Sequence, residues 1–304
     1  MARIEVVGVP FDGYGRLGNQ ALAARRVRDA GLDGAFEGHE VIDTGDLDLP
    51  PPDPHRAKGS GLINEAALVA MSAALEREVG RVVDAGSFPV VIGGDCSILL
   101  GIMAGAQAGA PVGLLFIDGH EDTMPLDVSE DGEAANAELG MLLGITGHLT
   151  PDALRRYVAI LPRQAVAVLG PRDEQWRRQF NVGSLRDWGT WFRSVDEVAA
   201  DPAASGRAAV EHLRTGARQW WLHVDLDVLD PDVFPAQGLP GVADEPGGLS
   251  WSQLEALLTH SVAAGGCAGW SIAIYDPDQD PDSSGAEAIV RLVGKVAGAL
   301  PGAR

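Results

Sequence analysis

The sequence predicts a three-layer α/β/α domain with a mainly parallel central sheet. Short apolar runs typical of strands alternate with longer segments whose apolar residues recur at helical spacing. Such alternation indicates βαβ units, which place helices on both faces of a parallel sheet. Glycine-rich or acidic blocks directly follow three of the runs, and parallel sheets bind ligands beyond the carboxyl ends of their strands. The chain has 304 residues, which suffices for a single domain over residues 1–304.

Six short apolar runs are predicted to be strands, and helical segments lie around them. In chain order the strands are Ile4–Val9, Phe88–Ile92, Gly113–Ile117, Ala165–Leu169, Trp220–Val224 and Gly269–Ile274. The predicted helices are Ala21–Ala30, Asn64–Ala85, Ser97–Gln107, Asp152–Leu161, Ala203–Thr215, Ser250–Ala264 and Gly285–Leu300. Ser250 with Gln253 three residues later forms a capping-box pattern, which predicts the start of the helix there.

Three segments rich in proline, glycine or acidic residues are predicted to be loops. They are Asp46–Lys58, Asp127–Glu133 and Asp230–Pro246. Strand and helix patterns resume after each of them, so none is expected to separate two domains.

The composition narrows the classes of function. Aspartate and glutamate total 43 against 23 basic residues, and the net charge is −20. Nucleic acids and anionic membranes require a basic face, so neither is expected as a partner. The charge is compatible with steering a cationic small-molecule substrate or metal ions. The chain opens on a strand-like run, has two cysteines and lacks an apolar run of about 20 residues, which together predict a cytoplasmic protein.

Two acidic blocks follow strand-like runs and carry their ionisable groups at alternate positions. The blocks are Asp118-Gly119-His120-Glu121-Asp122 and His223-Val224-Asp225-Leu226-Asp227. Residues two apart in an extended chain face the same side, so each block would present its carboxylates together. Carboxylates gathered at strand ends repel one another and resist burial. A pair of divalent metal ions is therefore expected between the two blocks.

A third block, Gly93-Gly94-Asp95-Cys96-Ser97, follows the predicted strand Phe88–Ile92. Two glycines at a strand end permit a tight turn into the next helix. The turn would place Asp95 and Cys96 at the same edge of the sheet as the acidic blocks.

Over nearly the whole chain, these blocks resemble those of the ureohydrolase family, the arginase and agmatinase group. The residues at 93–97, 118–122 and 223–231 resemble the family's Gly-Gly-Asp-His-Ser, Asp-Ala-His-x-Asp and Ser-x-Asp-x-Asp-x-x-Asp-Pro motifs. Gly8-Val9-Pro10-Phe11 with the following glycines, and Gly247-Gly248-Leu249, resemble two further family motifs. The resemblance implies the arginase fold and a homo-oligomer, as a trimer or hexamer.

By position, the resemblance implies a complete set of ligands for two metal ions. One ion would be bound by Cys96, Asp118, Asp122 and Asp225, and the other by Asp118, His120, Asp225 and Asp227, with Asp118 and Asp225 bridging. Such ligands suit Mn²⁺. In the family, the metals supply a hydroxide that attacks a guanidinium carbon and releases urea. The resemblance also implies that Asp95 and Asp230 orient the ligands or their loops.

Cys96 stands where the family has a metal-binding histidine, which leaves three alternatives. The thiolate binds the metal, or that metal is weakly bound or absent, or Cys96 is a small buried residue. Thiolate is softer than imidazole, so Zn²⁺ and Fe²⁺ become alternatives to Mn²⁺.

Other positions also depart from the family. Ile274 stands where the family has a guanidinium-binding glutamate, and the nearby acids at 276–282 are interpreted as a turn before the last helix. Glu138 is the ionisable group in register with a family histidine. It is expected to be either an exposed helix residue or a proton shuttle that also contacts the substrate. In the second case Glu138 and Asp122 are the candidate catalytic residues. His223 replaces a serine, and we expect it to orient a ligand while pointing to the other face from Asp225.

Arg172-Asp173 resembles the family's Gly-x-Arg-Asp segment. The resemblance implies that Asp173 or Glu174 contacts the amino end of the substrate, and the alternative is a structural Arg–Asp pair. The function expected from all these residues is hydrolysis of a C–N bond in a guanidino or amidine compound by two divalent metal ions. The alternatives are a hydrolase of a non-guanidine linear amidine or amide, indicated by Ile274, and a metal-binding or ligand-sensing homologue with impaired catalysis. The latter is indicated by Cys96 together with the absence of the family histidine in register with Glu138.

Overall fold

A central sheet of parallel strands organises the molecule. The computed structural model describes residues 2–240 and 246–301. Within these ranges the strands are β1 (Arg3–Gly8), β2 (Glu40–Asp46), β3 (Phe88–Ile92), β4 (Val112–Ile117), β5 (Val166–Leu169), β6 (Trp191–Arg193), β7 (Gln219–Asp225) and β8 (Cys267–Ala273). They form one sheet in the order β2-β1-β3-β8-β7-β4-β5-β6, and each neighbouring pair is parallel.

Helices cover both faces of this sheet. Those in the described part of the chain are α1 (Ala23–Asp29), α2 (Glu65–Asp84), α3 (Leu99–Ala106), α4 (Glu138–Leu143), α5 (Glu174–Gln179), α6 (Val195–Ala200), α7 (Pro202–Gly216), α8 (Trp251–Ala263) and α9 (Ser284–Ala299). Alternate residues of β4 enter two hydrophobic cores. Leu115 and Ile117 pack in the core that contains side chains of α7, α8 and α9, whereas Leu114 and Phe116 pack in the one that contains side chains of α2 and α3. The predicted three-layer α/β/α class is confirmed.

The six predicted strands correspond to β1, β3, β4, β5, β7 and β8. The two edge strands, β2 and β6, were not predicted. β2 has a largely exposed or half-buried pattern, and β6 has three residues, all half-buried. Edge strands bury too little to require a continuous apolar run.

The helix predicted over Asp152–Leu161 is wrong as an α-helix. Asp152–Tyr157 is a 3₁₀ helix, and Ala159 has a left-handed φ of 59°. Of the predicted loop Asp230–Pro246, residues 241–245 lie outside the described ranges.

The three motif blocks meet at the centre of the carboxyl edge. β4 pairs with β7, β7 with β8, and β8 with β3. The segments that follow β3, β4 and β7 therefore emerge close together, as ligands require in an open parallel sheet. Among the described helices, none combines the length and apolar character of a membrane span.

Close packing of α2 against α3 depends on a glycine. A Cβ atom at Gly101 would lie 2.3 Å from the carbonyl oxygen of Ser72 and 2.8 Å from Cβ of Leu75. The corresponding atom at Gly80, on α2, would meet the carbonyl oxygen of Gly105 at an ordinary 3.8 Å.

Replacing Gly101 with alanine is expected to lower the free energy of unfolding by about 1–3 kcal/mol, because the methyl group must displace the backbone of α2. The matched variant Gly80→Ala is expected to raise it by about 0.5–1 kcal/mol, since alanine loses less backbone entropy in a helix. Urea unfolding followed by circular dichroism measures both. Equal stability of Gly101→Ala and the native chain would contradict the close approach of the helices.

Candidate metal centre

The two acidic blocks converge at the ends of β4 and β7. Ligand atoms of Asp118, His120 and Asp122 lie within 4.8 Å of one another, and so do those of Asp118, Asp225 and Asp227. Asp118 belongs to both groups. The structure thus brings together all five residues that the acidic blocks contributed to the predicted metal set.

The first block reaches this arrangement through a loop and not through strand alternation. β4 ends at Ile117, and Asp122 has a left-handed φ of 45°. Asp118 accepts a hydrogen bond from the His120 amide at 2.6 Å, and Asp227 accepts one from the Gly119 amide at 2.9 Å. A non-glycine residue in the left-handed region is strained, and such strain concentrates at functional sites.

The Gly93–Ser97 turn brings Cys96 to the same place. Gly93 and Gly94 both have positive φ, and a Cβ at Gly93 would lie 2.9 Å from the carbonyl oxygen of Val9. Asp95 accepts a hydrogen bond from the Ser97 amide at 3.0 Å, which fixes the turn that carries Cys96. The Cys96 Sγ atom is buried, 2.6 Å from Oδ2 of Asp225 and 3.8 Å from Oδ2 of Asp118.

Glu138 begins helix α4 and is completely buried. Its carboxyl group lies with Asp122 and Cys96, with ligand atoms within 4.8 Å of one another. In the described structure neither oxygen of Glu138 makes a hydrogen bond of normal geometry. Of the two expectations for Glu138, the structure therefore favours a side chain directed into the site over one exposed on a helix.

The electrostatics of the cluster favour binding of a cation. Burial, with the charge of Asp227, raises the pKa of Asp118 to about 6. Burial and neighbouring carboxylates also raise the pKa of Asp122, Asp225 and Glu138 well above the ordinary range. Four carboxyl groups that cannot ionise together without a counter-charge, joined by an imidazole and a thiol, fit a pair of divalent cations.

Asp227 differs from the other carboxyl groups. Burial alone would raise its pKa, but the charge and hydrogen bond of His120 outweigh that effect and lower it to about 2. Oδ2 of Asp227 lies 2.8 Å from Nδ1 of His120. In this arrangement Asp227 and His120 hold each other in place at one end of the cluster.

His223 lies on the same face of β7 as Asp225, and the expectation that it points to the other face is wrong. Its Nε2 atom is 3.3 Å from Sγ of Cys96, which also contacts Asp225. Residues two apart in a strand share a face, so a histidine at this position necessarily points toward the cluster.

A cavity of about 270 Å³ opens beside the cluster. Its walls include His120, Asp122, Asp225, Asp227, Tyr14, Asp131, Glu133, Trp176 and Ile274. Ile274 has a φ of 67°, and its amide donates to the carbonyl oxygen of Gly94 at 3.0 Å. Ile274 is therefore a wall of the cavity, held in a backbone conformation that a β-branched residue rarely adopts.

The acids that follow Ile274 are used locally. Asp276 accepts a hydrogen bond from the Asp278 amide at 3.0 Å, and Asp278 accepts one from the Asn19 amide at 3.0 Å. Asp280 accepts from the hydroxyl of Tyr275 and from two amides at the start of α9. These contacts favour the interpretation of this segment as a turn.

The remaining predicted residues lie outside the cavity wall. Asp173 is buried and contacts Arg177, whereas Glu174 is exposed and paired with Arg178. Asp230 accepts a hydrogen bond from the Asp232 amide at 2.9 Å, and so orders the loop after β7. Asp173 accepts a hydrogen bond from the Glu121 amide at 3.2 Å, but neither Asp173 nor Glu174 belongs to the groups of candidate ligands described above.

A buried ion-pair network lies behind residues 118–122, the metal loop, and extends beyond the Arg–Asp pair that the sequence analysis named as an alternative. Nη2 of Arg177 lies 2.7 Å from Glu121, and Nε of Arg177 lies 3.0 Å from Asp173. The Glu121 carboxylate also accepts from Ser184 and from the Leu185 amide. The i, i+4 spacing of Asp173 and Arg177 was a signal for half of this network. Glu121 lies between His120 and Asp122 in the sequence. By holding Glu121, the network therefore anchors the loop that supplies three ligand candidates.

Replacing Arg177 with methionine is expected to lower the free energy of unfolding by about 3–5 kcal/mol, because two buried carboxylates lose their counter-charge. Arg178→Met is the matched control. Arg178 also pairs with an acid four residues away, but both side chains are exposed, so a change of at most about 0.5 kcal/mol is expected. Urea unfolding of both variants measures the difference, and equal effects would show that burial of the Arg177 network adds nothing.

The sequence and the fold have counterparts among known proteins. A model of the arginase family matches residues 2–298. The arginase of Bacillus caldovelox is 27% identical over 307 residues, covering 98% of this chain and 99% of that protein. The arginase of Bacillus subtilis (strain 168) is 27% identical over 302 residues, with 97% of each covered. The native structure of the Bacillus caldovelox arginase shares the fold, with a TM-score of 0.82 and 24% identity over 98% of this chain and 99% of that one. Since the family model spans nearly all of the sequence, this chain belongs to the arginase family.

Proposed function

We propose that this chain is a metal-dependent hydrolase that cleaves a C–N bond in a guanidino or amidine compound. The observation that carries the proposal is that an imidazole and carboxylates line one cavity, with a buried thiol grouped with the same carboxylates, in a member of the arginase family. The proposed ligands are those predicted from the motifs, namely Cys96, Asp118, Asp122 and Asp225 for one ion, and Asp118, His120, Asp225 and Asp227 for the other.

When bound, two divalent ions would lower the pKa of a water molecule to neutrality and stabilise negative charge on the reacting group. The contact between His120 and Asp227 would keep the imidazole in place, and the hydrogen bond from the Ser97 amide to Asp95 would fix the turn that carries Cys96. Mn²⁺ is the proposed metal, with Zn²⁺ and Fe²⁺ as alternatives that the thiol favours.

Glu138 and Asp122 are the proposed catalytic acids. Hydrolysis adds water to the carbon and breaks the C–N bond, and the leaving nitrogen must gain a proton. Burial keeps Glu138 protonated more readily than an exposed glutamate, and its carboxyl group lies beside Asp122 at the cluster. This position supports a role for Glu138 in giving that proton to the leaving nitrogen and in contacting the substrate.

The cavity wall supports a small cationic substrate that is held differently from an arginase substrate. Ile274 provides no charge, but Glu133 lies on the same wall and is almost fully buried. Glu133 is thus a proposed partner for a guanidinium or amidinium group. The apolar side chain of Ile274 favours the second candidate, hydrolysis of a linear amidine or amide that lacks a guanidine group.

The metal content of the purified chain tests the site. After loading with Mn²⁺ and gel filtration, elemental analysis is expected to give two equivalents per chain, and chelation is expected to abolish hydrolysis. Asp225→Asn is expected to retain less than one equivalent, because this residue is the proposed bridge. Asp232→Asn, an exposed aspartate in the next loop, is the control and should retain two. Less than one equivalent in the native chain would refute the two-metal site.

Hydrolysis assays test the substrate class. The metal-loaded chain is expected to release urea from at least one guanidino compound in a panel that includes arginine, agmatine and guanidino acids. Turnover of amidines or amides alone, measured as released ammonia, would reject the guanidine assignment. If none of these compounds reacts while they still raise the melting temperature, the chain is a ligand-binding homologue and not a hydrolase.

A variant of Glu133 tests whether this residue recognises the positive charge of the substrate. Glu133→Gln is expected to raise KM for a cationic substrate about tenfold, because a charge-assisted hydrogen bond is lost. Glu130→Gln, an exposed acid in the same loop, is the matched control and should leave KM unchanged. Equal KM values for both variants would remove Glu133 from the binding site.

A further inference from the structure

Two buried side chains meet at one end of the carboxylate cluster from different strands. Cys96 follows β3, and His223 lies in β7. Both side chains are 0% exposed, and Sγ of Cys96 is 3.3 Å from Nε2 of His223. Nε2 of His223, Sγ of Cys96 and a carboxylate oxygen of Asp118 all lie within 4.8 Å of one another. These three donors are of the kinds that bind borderline divalent metals.

The opposite side of the His223 ring is fixed by a hydroxyl group. Nδ1 lies 2.8 Å from Oγ of Ser271, which also accepts a hydrogen bond from Nε1 of Trp221 at 2.9 Å and donates toward the carbonyl oxygen of Leu222 at 3.5 Å. The indole can only donate, so one lone pair of the hydroxyl is free to accept from an Nδ1–H group. In the tautomer with the proton on Nδ1, the Nε2 lone pair is directed at the cluster.

The packing around His223 also holds the ring in a fixed orientation. The imidazole stacks on Phe116, with 5.6 Å between ring centroids and 19° between planes. A neutral imidazole whose second nitrogen donates to a fixed acceptor is the usual state of a metal-binding histidine.

We propose that His223 Nε2 is itself a ligand of the metal ion that Cys96 binds. This inference rests on the two-metal site proposed above and changes its composition. The family motifs that this chain resembles have histidine at the position of Cys96 and serine at the position of His223. In this chain the imidazole would therefore come from β7 and the sulfur from the turn after β3. A thiolate and an imidazole on one ion favour Zn²⁺, Fe²⁺ or Co²⁺ over Mn²⁺ at that position.

Co²⁺ added to the metal-free full-length chain tests the assignment, because this ion is paramagnetic and has visible absorption bands that depend on its ligands. Nuclear magnetic resonance of the chain with isotope-labelled histidine then counts the metal-bound rings. Two of the 7 histidines, His120 and His223, are expected to show strongly shifted ring nitrogens. The Nδ1–H proton of His223 should exchange slowly, because it is buried against Ser271.

Substitution gives a second, independent measurement. His223→Ala is expected to weaken the binding of one of two Co²⁺ ions at least about tenfold and to change its visible absorption. His212→Ala removes an imidazole that stacks on Trp191, away from the cluster, and is expected to leave both properties unchanged. Circular dichroism verifies folding. If His223→Ala does not fold, the resonances of the native chain decide the question.

The outcomes separate this inference from the proposed function. Two bound Co²⁺ ions with a shifted His223 ring support both. Two bound ions with an unshifted His223 ring overturn the His223 assignment and leave the two-metal proposal standing. Less than one bound ion refutes the two-metal proposal, and the His223 assignment with it.

Discussion

Repulsion among buried carboxyl groups is the constraint on which this structure depends. Adjacent parallel strands deliver Asp118 and Asp225 to one point, and the following residues add Asp122 and Asp227. Burial makes ionisation of this group costly, as the raised pKa of Asp118 shows. The fold maintains the arrangement because two large hydrophobic cores fix the strands. Packing in these cores, far from the site, offsets the free energy needed to hold the carboxyl groups together.

The surrounding structure holds the donors by contacts that are themselves buried. Arg177 anchors the metal loop through Glu121, Asp95 fixes the turn before Cys96, and Ser271 orients His223. Each contact comes from a different part of the chain, so the site is rigid without being continuous in sequence. Such support allows ligands to remain in place when their charges are not balanced.

Much of this arrangement was accessible from sequence because motif order, strand ends and residue spacing are local signals. The central strands and the convergence of the acidic blocks were predicted in this way. The edge strands β2 and β6 were not, since edge strands bury too little to leave an apolar pattern. Contacts between distant residues, such as Arg177 with Glu121 or Cys96 with His223, leave no such pattern and require the fold itself.

The 3.3 Å separation of Cys96 and His223 also bears on how the chain can vary. An imidazole is much larger than a thiol, so a histidine at position 96 would overlap the ring already present at 223. A serine at 223 with cysteine retained would instead leave an unfilled space beside the cluster. Changing either residue alone to the type in the family motif would therefore cost stability, through overlap at position 96 or an unfilled space at position 223. The two positions are expected to be epistatic, so that the family's His–Ser pair and this chain's Cys–His pair interconvert only when both residues change together.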